Sequence, residues 1–397
     1  MNKRLILLTF TFIAALSTQG QISYQKFYDK AQKHTSVEGT LSDDSVRIGD
    51  WTWWHPSGHV YQQGHYDSHG KKTGLWRVFY DNGNKCAEEY HSGDGVNREW
   101  YENGKKKSEV TILNGKKQGN YISWYTNGKQ KDLITFEDGS REGITKEWHS
   151  NGQLKFEGTY QNNELNGKGT WWTEQGKKDM EGILVEGDQE GEWLFYWHTN
   201  GQLGIRGTYH EGVEIGRWTY YYETGERWRE GEYIQGVRQG LWTTWYESGN
   251  KLHEGKYKDG AEEGIWTSWY EDGKIDYIGS FHKGKMDGEW KGLYDNGRTR
   301  YIIHYKDGQK EGDEVHYFPN GKIETTESYH NGERDGKYAR YNSAGKTEEM
   351  GQFVKGIKEG KWTWFDAYGK EQYIGTFKAG KMVEKEDLTP TKKKSQR

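Results

Sequence analysis

The sequence predicts an all-β protein: an elongated repeat solenoid of about fourteen antiparallel β-hairpins that form one long twisted sheet. Three observations lead to this prediction. The 397-residue chain contains 55 Gly, 20 Trp, 29 Tyr and 12 Phe, but only 3 Pro. Frequent glycine disfavours long helices, whereas aromatic side chains are enriched in strands. One glycine also recurs at a nearly constant spacing, between two short runs that read as strands.

The N-terminal residues differ in composition from the rest of the chain. Lys3 and Arg4 precede an apolar run from Leu5 to Leu16, and small or polar residues follow up to Gly20. This order is typical of a cleaved secretory signal, and the run is too short for a standard membrane span. We therefore expect residues 1–20 to be a signal peptide, and the mature protein to be secreted or periplasmic and not membrane-spanning. A buried N-terminal helix or strand is the alternative.

A glycine that we call the marker glycine occurs once in each repeat. Its copies are Gly58, Gly83, Gly104, Gly128, Gly152, Gly176, Gly201, Gly225, Gly249, Gly273, Gly297, Gly321, Gly345 and Gly369. From Gly201 onward the spacing is 24 residues without exception. A fixed period of this size indicates a repeat architecture. We predict a cap segment at 21–48, hairpin repeats at 49–382 and a disordered basic tail at 383–397.

Two turns per repeat are predicted from the residues that precede glycines. The marker glycine follows Asn in seven repeats, as in Asn127-Gly128, and Asp in an eighth. Asn-Gly favours a tight hairpin turn because both residues tolerate positive φ. A second turn falls near pairs such as Asp259-Gly260 and leads into the next repeat. The chain should therefore run as a continuous antiparallel meander.

Strand alternation assigns the aromatic residues to two faces. The position seven residues before the marker and the position four before it point to opposite faces. A glycine six residues after the marker can lie under an indole of a neighbouring strand, an arrangement that stabilises glycines in sheets. We predict that this stacking holds the repeats together. The structural residues are Trp218, Trp242, Trp245, Trp266, Trp269, Gly231, Gly255 and Gly279.

A row of tyrosines is the candidate binding feature. Tyr222, Tyr246, Tyr270 and Tyr294 each lie three residues before a marker glycine and should form a row along one face. Aromatic rows can hold sugars, cationic head groups or peptide segments. We treat these four residues as a candidate ligand- or partner-binding stripe. The alternative is that they pack in the core against the neighbouring tryptophans.

The sequence contains no recognisable catalytic motif: neither a Walker loop, a G-x-S-x-G elbow nor an H-E-x-x-H pattern occurs. Cys86, the only cysteine, has no convincing catalytic partner. His55, His149 and His198 occupy one repeat position, which indicates surface substitutions and not metal ligands. We expect no catalytic residues, no metal and no cofactor. The net charge of −4 weighs against a nucleic-acid partner.

The motif G-x-W-x-x-W-Y-x-x-N-G, followed by E-G-x-Y-x-x-G, resembles the MORN repeat family. It is closest to the variant form of bacterial proteins labelled YwqK-type antitoxins, and the resemblance covers residues 49 to about 380. The motif is clear in residues 191–209 and 264–281. The resemblance implies an elongated twisted sheet with roles in scaffolding, protein interaction or membrane proximity, and it supplies no catalytic residues. A longer gap after the Asn-Gly turn and an extra aromatic residue before it depart from the family pattern, so the curvature of the sheet stays open.

Three functions are compatible with these features. The first is a non-catalytic extracytoplasmic scaffold that binds an unknown protein partner, since a repeat sheet offers a large contact surface. The second is a binder of a glycan or another cell-envelope ligand, which would use the tyrosine stripe. The third is an antitoxin- or immunity-type protein, although export argues against a cytoplasmic toxin as its target.

Overall fold

The structure, a computed structural model, describes residues 10–12 and 21–388. Every regular element in that part of the chain is a β-strand, so the all-β prediction is confirmed. The chain divides into two compact units, Met1–Gly201 and Gln202–Arg397. Within each unit, strands that follow each other in sequence pair antiparallel, as expected for hairpins joined in a meander.

The first unit begins with short strands and continues as regular hairpins. Its strands are β1 (Phe10–Phe12), β2 (Gln21–Phe27), β3 (Thr35–Ser42), β4 (Arg47–Trp54), β5 (Val60–Tyr66), β6 (Lys72–Phe79), β7 (Lys85–Tyr90), β8 (Gly95–Trp100), β9 (Lys106–Leu113), β10 (Lys116–Trp124), β11 (Gln130–Glu137), β12 (Ser140–Trp148), β13 (Leu154–Gln161), β14 (Glu164–Leu165), β15 (Gly167–Trp172), β16 (Lys178–Val185) and β17 (Asp188–Tyr196). Both β14 and β15 pair with β13, so they are two parts of one interrupted strand.

The second unit repeats the same plan with higher regularity. Its strands are β18 (Leu203–His210), β19 (Val213–Tyr221), β20 (Arg227–Ile234), β21 (Val237–Trp245), β22 (Lys251–Lys258), β23 (Ala261–Trp269), β24 (Ile275–His282), β25 (Lys285–Met286), β26 (Gly288–Leu293), β27 (Thr299–Lys306), β28 (Gln309–Lys310), β29 (Gly312–Tyr317), β30 (Ile323–His330), β31 (Glu333–Tyr341), β32 (Thr347–Val354), β33 (Ile357–Phe365), β34 (Glu371–Lys378) and β35 (Lys381–Asp387). Here β24 and β27 each pair with a divided strand.

The two turns of a repeat differ in backbone geometry. At the marker turn only the glycine has positive φ, as in Gly128 with φ 90°. The preceding Asn127 keeps negative φ, and its side chain accepts a hydrogen bond from the amide of Lys129 at 2.9 Å. At the second turn both residues have positive φ, as in Asp259 (51°) and Gly260 (80°), which is the type I′ geometry. The two-residue turn predicted for Asn-Gly therefore occurs at the second turn, whereas Asn at the marker turn serves as a side-chain acceptor.

The core of each unit lies on one face of the sheet, which we call the indole face. At Trp242 the β20–β21 register shifts between Glu230 and Glu232, and the indole ring lies on Gly231 at this bulge. The indole Nε1 donates a hydrogen bond to the carbonyl of Glu232 at 3.3 Å. The same packing joins Trp51 to Gly39, Trp76 to Gly64, Trp193 to Gly182, Trp218 to Gly207, Trp266 to Gly255, Trp290 to Gly279 and Trp362 to Gly351. The rings thus replace the second layer that a sheet normally needs.

Flanking rings and cations cover each indole. Tyr233 and Tyr257 meet the ring of Trp242 edge to face, with centroids 5.3 and 5.9 Å away. The guanidinium carbon of Arg238 lies 5.0 Å from its centroid. Trp242 is consequently only 3% exposed. Burial of one such side chain contributes about 2–3 kcal/mol, so a series of them stabilises the meander.

The ends of the repeat region extend further than expected. The predicted cap segment 21–48 forms β2, β3 and the start of β4, and Gly39 in β3 is covered by Trp51 like the glycines of the repeats. Strand β35 continues to Asp387 and pairs with β34, so residues 383–387 of the predicted tail are a strand. The predicted signal peptide, apart from strand β1, and residues 389–397 lie outside the described residues.

Candidate functional site

The predicted tyrosine stripe forms a row at the marker turns of the second unit. Each tyrosine is the first residue of its turn, and its hydroxyl donates a hydrogen bond to a backbone carbonyl in the next repeat. The four bonds run from Tyr222 to Trp245 (2.8 Å), from Tyr246 to Trp269 (3.0 Å), from Tyr270 to Leu293 (2.7 Å) and from Tyr294 to Tyr317 (2.6 Å). Partial burial raises the pKa of all four phenols. Their hydroxyls thus join successive repeats, and their binding role stays a prediction.

The first unit contains the same hydrogen bond from a tyrosine hydroxyl to a carbonyl of the next repeat, so this bond is a feature of the repeat itself. Tyr101 and Tyr125 donate to the carbonyls of Trp124 and Trp148, each at 2.8 Å or less. At the same position the ring of His149 contacts the carbonyl of Trp172 at 2.9 Å through Nε2. His55 makes the equivalent contact to Phe79, whereas His198 pairs with Asp179 at 2.5 Å.

The marker turns are also linked to each other by side chains. Asn127 Nδ2 donates to the carbonyl of Ser150 at 2.8 Å, and Lys129 Nζ donates to the carbonyl of Asn151. Asn320 and Lys322 repeat this pattern in the second unit, toward Ser343 and Ala344. The polar groups along this edge are therefore largely used for contacts between repeats.

The opposite face carries a regular row of ion pairs, and we call it the glutamate face. A glutamate lies five residues after the marker glycine in several repeats, namely Glu88, Glu109, Glu157, Glu181, Glu230 and Glu254. In one of them Lys251 Nζ lies 2.6 Å from Glu254, and Thr243 Oγ1 donates to the same carboxylate at 3.0 Å. The ammonium of Lys251 also lies over the ring of Trp269, 5.5 Å from its centroid. Trp245 is covered in the same way by Arg227 at 4.8 Å.

Glu181 is the most strongly perturbed member of this row. Burial opposes its ionisation, but hydrogen bonds from Lys178, Tyr196 and Lys168 outweigh burial and lower its pKa to about 2. The oxygen–nitrogen distances to Lys178 and Lys168 are 2.7 and 2.9 Å. Because charge-assisted hydrogen bonds strengthen in a partly buried setting, the carboxylate stays ionised and holds both lysines in place. The sequence analysis did not anticipate this pairing of the glutamate with the lysine three residues before it.

Hollows recur on the glutamate face above the bulge glycines. In the first unit a hollow of about 430 Å³ is lined by Glu157, Lys168, Thr170, Trp172 and Glu181, among others. In the second unit a hollow of about 270 Å³ lies over Gly231 and is lined by Arg217, Glu230, Glu232, Leu241 and Thr243. The two hollows share six lining positions of the repeat, and the charges at these positions differ, as in Thr159 and Glu232. Trp172, Lys178 and Glu181 line only the first hollow. Leu241 and, one repeat later, Ile265 are 52% and 70% exposed beside these ionic groups.

One repeat of the second unit breaks the indole–glycine pattern. Glu314 stands where most repeats have the indole, Glu327 stands where they have the glycine, and the two residues face each other in register. Both side chains are at least nine-tenths buried. Glu314 is held by Lys310 (2.5 Å) and His316 (2.6 Å), and Glu327 by Arg334 (2.7 Å). Burial raises the pKa of Glu314, but these two hydrogen-bond partners outweigh it and lower that pKa.

The sequence signal for this polar break is that Glu314 and Glu327 differ from the residues at the same positions of most other repeats. It becomes visible only when each position is compared across all repeats. The network is closed, since both of its carboxylates have cationic partners.

Among the described residues, no group of three or more His, Cys, Asp and Glu side chains is arranged to hold a metal ion. Cys86 is a partly buried free thiol. In the same part of the chain there is no helix with the length and hydropathy for a membrane span.

Comparison with known proteins identifies the repeat. The pattern described as MORN repeat variant matches residues 47–68, 93–114, 141–162, 214–235, 238–259, 262–283, 286–307 and 310–331. No curated protein matches the chain.

Solved structures that match the chain over part of their own length include a TcdB2–TccC3–Cdc42 complex (9% identity, TM-score 0.14) and the Tc holotoxin pore of Photorhabdus luminescens (10% identity, TM-score 0.15). These matches cover 91% and 93% of this chain, but it spans only 25% and 23% of those chains. The eight matched segments lie in both units and coincide with the hairpins described above. The chain therefore carries MORN repeats of the variant form in these eight segments.

Proposed function

We propose that the chain is a non-catalytic, extracytoplasmic scaffold that binds a protein partner through its glutamate face. The observation that carries the proposal is the recurrence of hollows at one repeat position with different charges in each. Lys168 and Glu181 line one hollow, whereas Arg217, Glu230 and Glu232 line another. A surface of this kind offers an ordered series of similar sites that a partner can read by its charge pattern.

Exposed apolar side chains beside these charges support a protein partner. Leu241 and Ile265 project from the glutamate face one repeat apart, and Ile265 is the more exposed. Protein interfaces combine apolar anchors with a polar, charged rim. On the indole face, by contrast, the tryptophans that lie over glycines, such as Trp218 and Trp242, are buried under neighbouring rings. The extracytoplasmic part of the proposal rests on the signal-like composition of residues 1–20.

Site-specific photocrosslinking in producing cells tests the binding face. A photoreactive amino acid at position 241 or 265 should give discrete adducts with one partner, because both side chains lie on the proposed interface. The control is position 368, where the exposed Tyr368 (86%) lies in a marker turn. The purified partner should bind the Ile265→Asp variant at least about tenfold more weakly, as for an interface anchor, and bind Tyr368→Asp unchanged. Equal crosslinking at 368 and 265, or no adduct at 241 and 265, refutes the proposal.

Cell fractionation tests the location. The mature chain should be recovered from the periplasm or the medium, with an N-terminal peptide that begins close to residue 21. Recovery from the cytoplasm with Met1 or its neighbours still attached contradicts export, whatever the crosslinking result.

A further inference from the structure

An arginine on the indole face of the second unit lacks a counter-ion. The guanidinium carbon of Arg229 lies 4.6 Å from the ring centroid of Tyr220 and 5.3 Å from those of Trp228 and Trp242. Its guanidinium is within hydrogen-bonding reach of the Tyr220 hydroxyl. Its Nε is buried and has no hydrogen-bond partner among the residues that the structure describes. No carboxylate of that part of the chain forms a salt bridge with it.

Other arginines of this unit show what is missing at Arg229. Arg300 pairs with Asp276 at 3.0 Å, and Arg334 pairs with Glu327 at 2.7 Å. A partly buried cation is normally compensated by an anion, because rings alone do not satisfy its N–H groups. Ring stacking leaves the edge of the guanidinium plane available for two parallel hydrogen bonds to a carboxylate.

An exposed tryptophan adjoins this guanidinium. Trp228 is the extra residue where the β19–β20 register shifts between Tyr220 and Tyr221, and the shift leaves its side chain 39% exposed. Its ring lies 6.2 Å from that of Tyr222, at an angle of 48°. The exposed face of the indole is a flat apolar surface of the kind on which sugar rings stack, and the inclined phenol borders it.

We propose that Arg229, Trp228 and Tyr222 form a binding site for an acidic saccharide. The guanidinium of Arg229 binds the carboxylate of a uronic-acid residue, and the ring of Trp228 stacks on the sugar that carries it. This site lies on the indole face and is independent of the protein-binding role proposed for the glutamate face. It also assigns to Tyr222 a ligand contact through its ring, while its hydroxyl stays bonded to the carbonyl of Trp245.

Calorimetric titration of the full mature chain with a tetrasaccharide that contains glucuronic acid tests the site. The matched ligand is the same tetrasaccharide after its carboxylates are reduced to alcohols, and acetate is the anion without a sugar ring. The acidic tetrasaccharide should bind at least about tenfold more tightly than either, because the bidentate carboxylate contact and the stacking contact act together. The proposal is overturned if the reduced sugar or acetate binds as tightly, or if the acidic sugar does not bind at millimolar concentration.

Variants assign the binding to these residues. Arg229→Gln and Trp228→Ala should each weaken binding of the acidic tetrasaccharide about tenfold. The controls are Arg298→Gln, an exposed arginine at a marker turn, and Tyr368→Ala, an exposed phenol (86%) elsewhere in the unit. Both controls should bind within twofold of the unchanged chain.

Folding is checked by circular dichroism and thermal unfolding of each variant. Should Arg229→Gln unfold, Arg229→Lys decides the question, since it keeps the charge and loses the planar fork. A weakening of at least threefold with an unchanged melting temperature supports the site. Unchanged affinity in Arg229→Lys, or equal affinity in Arg229→Gln and Arg298→Gln, overturns it.

Discussion

Replacing Gly231 by alanine should destabilise the second unit, because the new methyl group would occupy space that an indole ring fills. A Cβ atom at this position would lie 2.0 Å from Cδ2 and 2.1 Å from Cε2 of Trp242. These distances are far inside van der Waals contact, so the indole must move. The ring is only 3% exposed, and its Nε1 is bonded to the carbonyl of Glu232 at 3.3 Å. Any movement that relieves the clash therefore costs burial, the hydrogen bond, or both.

The magnitude follows from what the ring loses. Exposure of most of an indole costs about 2–3 kcal/mol, and the net loss of one hydrogen bond costs about 1 kcal/mol. We expect Gly231→Ala to lower the free energy of unfolding of this region by about 3 kcal/mol. The clash requires the indole, so the same substitution in a Trp242→Ala background should cost less than about 0.5 kcal/mol. The coupling between the two sites in a double-mutant cycle is then also about 3 kcal/mol.

The measurement is native-state amide hydrogen exchange over β20–β22, combined with urea unfolding. Local exchange is needed because repeat arrays unfold in parts and not as one two-state unit. The unchanged chain and the three variants of the cycle are compared at the same pH and temperature. The reasoning is refuted if Gly231→Ala costs less than about 1 kcal/mol, or if it costs the same with and without Trp242.

Three further substitutions or conditions test other contacts. Tyr246→Phe removes the hydrogen bond to the carbonyl of Trp269 and should cost about 1 kcal/mol in urea unfolding, and no measurable loss would show that the bond is not made in solution. The pKa of Glu181 is lowered from 4.5 to about 2, so its contribution of up to about 3 kcal/mol is present above pH 4.5 and is lost as the pH falls toward 2. The free energy of unfolding of Glu181→Gln should therefore fall less steeply between pH 4.5 and pH 2 than that of the unchanged chain. The same pH dependence in both would contradict the assignment. Glu327→Gln should destabilise the polar break by about 2 kcal/mol in thermal unfolding, because it weakens charge-assisted hydrogen bonds to a buried carboxylate. The control Glu333→Gln, on the exposed surface, should change the free energy of unfolding by less than about 0.5 kcal/mol.

Much of the fold could be predicted from the sequence because one period determines it. The marker glycine set the repeat, and strand alternation placed Trp242 and Trp245 on opposite faces. The association of indoles with glycines such as Gly231 also followed from spacing. What spacing could not supply was the bulge at Gly231, which shifts the register and turns the carbonyl of Glu232 toward the indole.

The turns show a second limit of local reasoning. Asn-Gly was expected to adopt a two-residue turn, but Asn127 uses its side chain to accept an amide and to donate to the next repeat. A contact with a residue 23 positions away has no signature in the local sequence. The same holds for the hydroxyl of Tyr246, which could be placed in a row but not assigned its acceptor in advance.

The candidate sites were less predictable than the fold. The tyrosine stripe was chosen because its spacing is regular, and regularity is also what a structural contact produces. Arg229 stands at a position that varies from repeat to repeat, whereas Glu314 and Glu327 depart from the consensus at theirs. Their significance depends on partners from several strands, which only the structure brings together.

The contacts between neighbouring marker turns have a direction. The tyrosine hydroxyl, the asparagine amide and the lysine ammonium of one repeat all donate to carbonyls of the repeat that follows, and from Gly201 onward the marker glycines recur every 24 residues. Duplication or loss of a whole period in the second unit leaves every donor with an acceptor. The first unit keeps the same kind of contact at another spacing, since the hydroxyl of Tyr80 donates to the carbonyl of Trp100 at 2.8 Å although Gly83 and Gly104 are 21 residues apart. Whole repeats can therefore be gained or lost, and some repeats shortened, without a new kind of contact between neighbours.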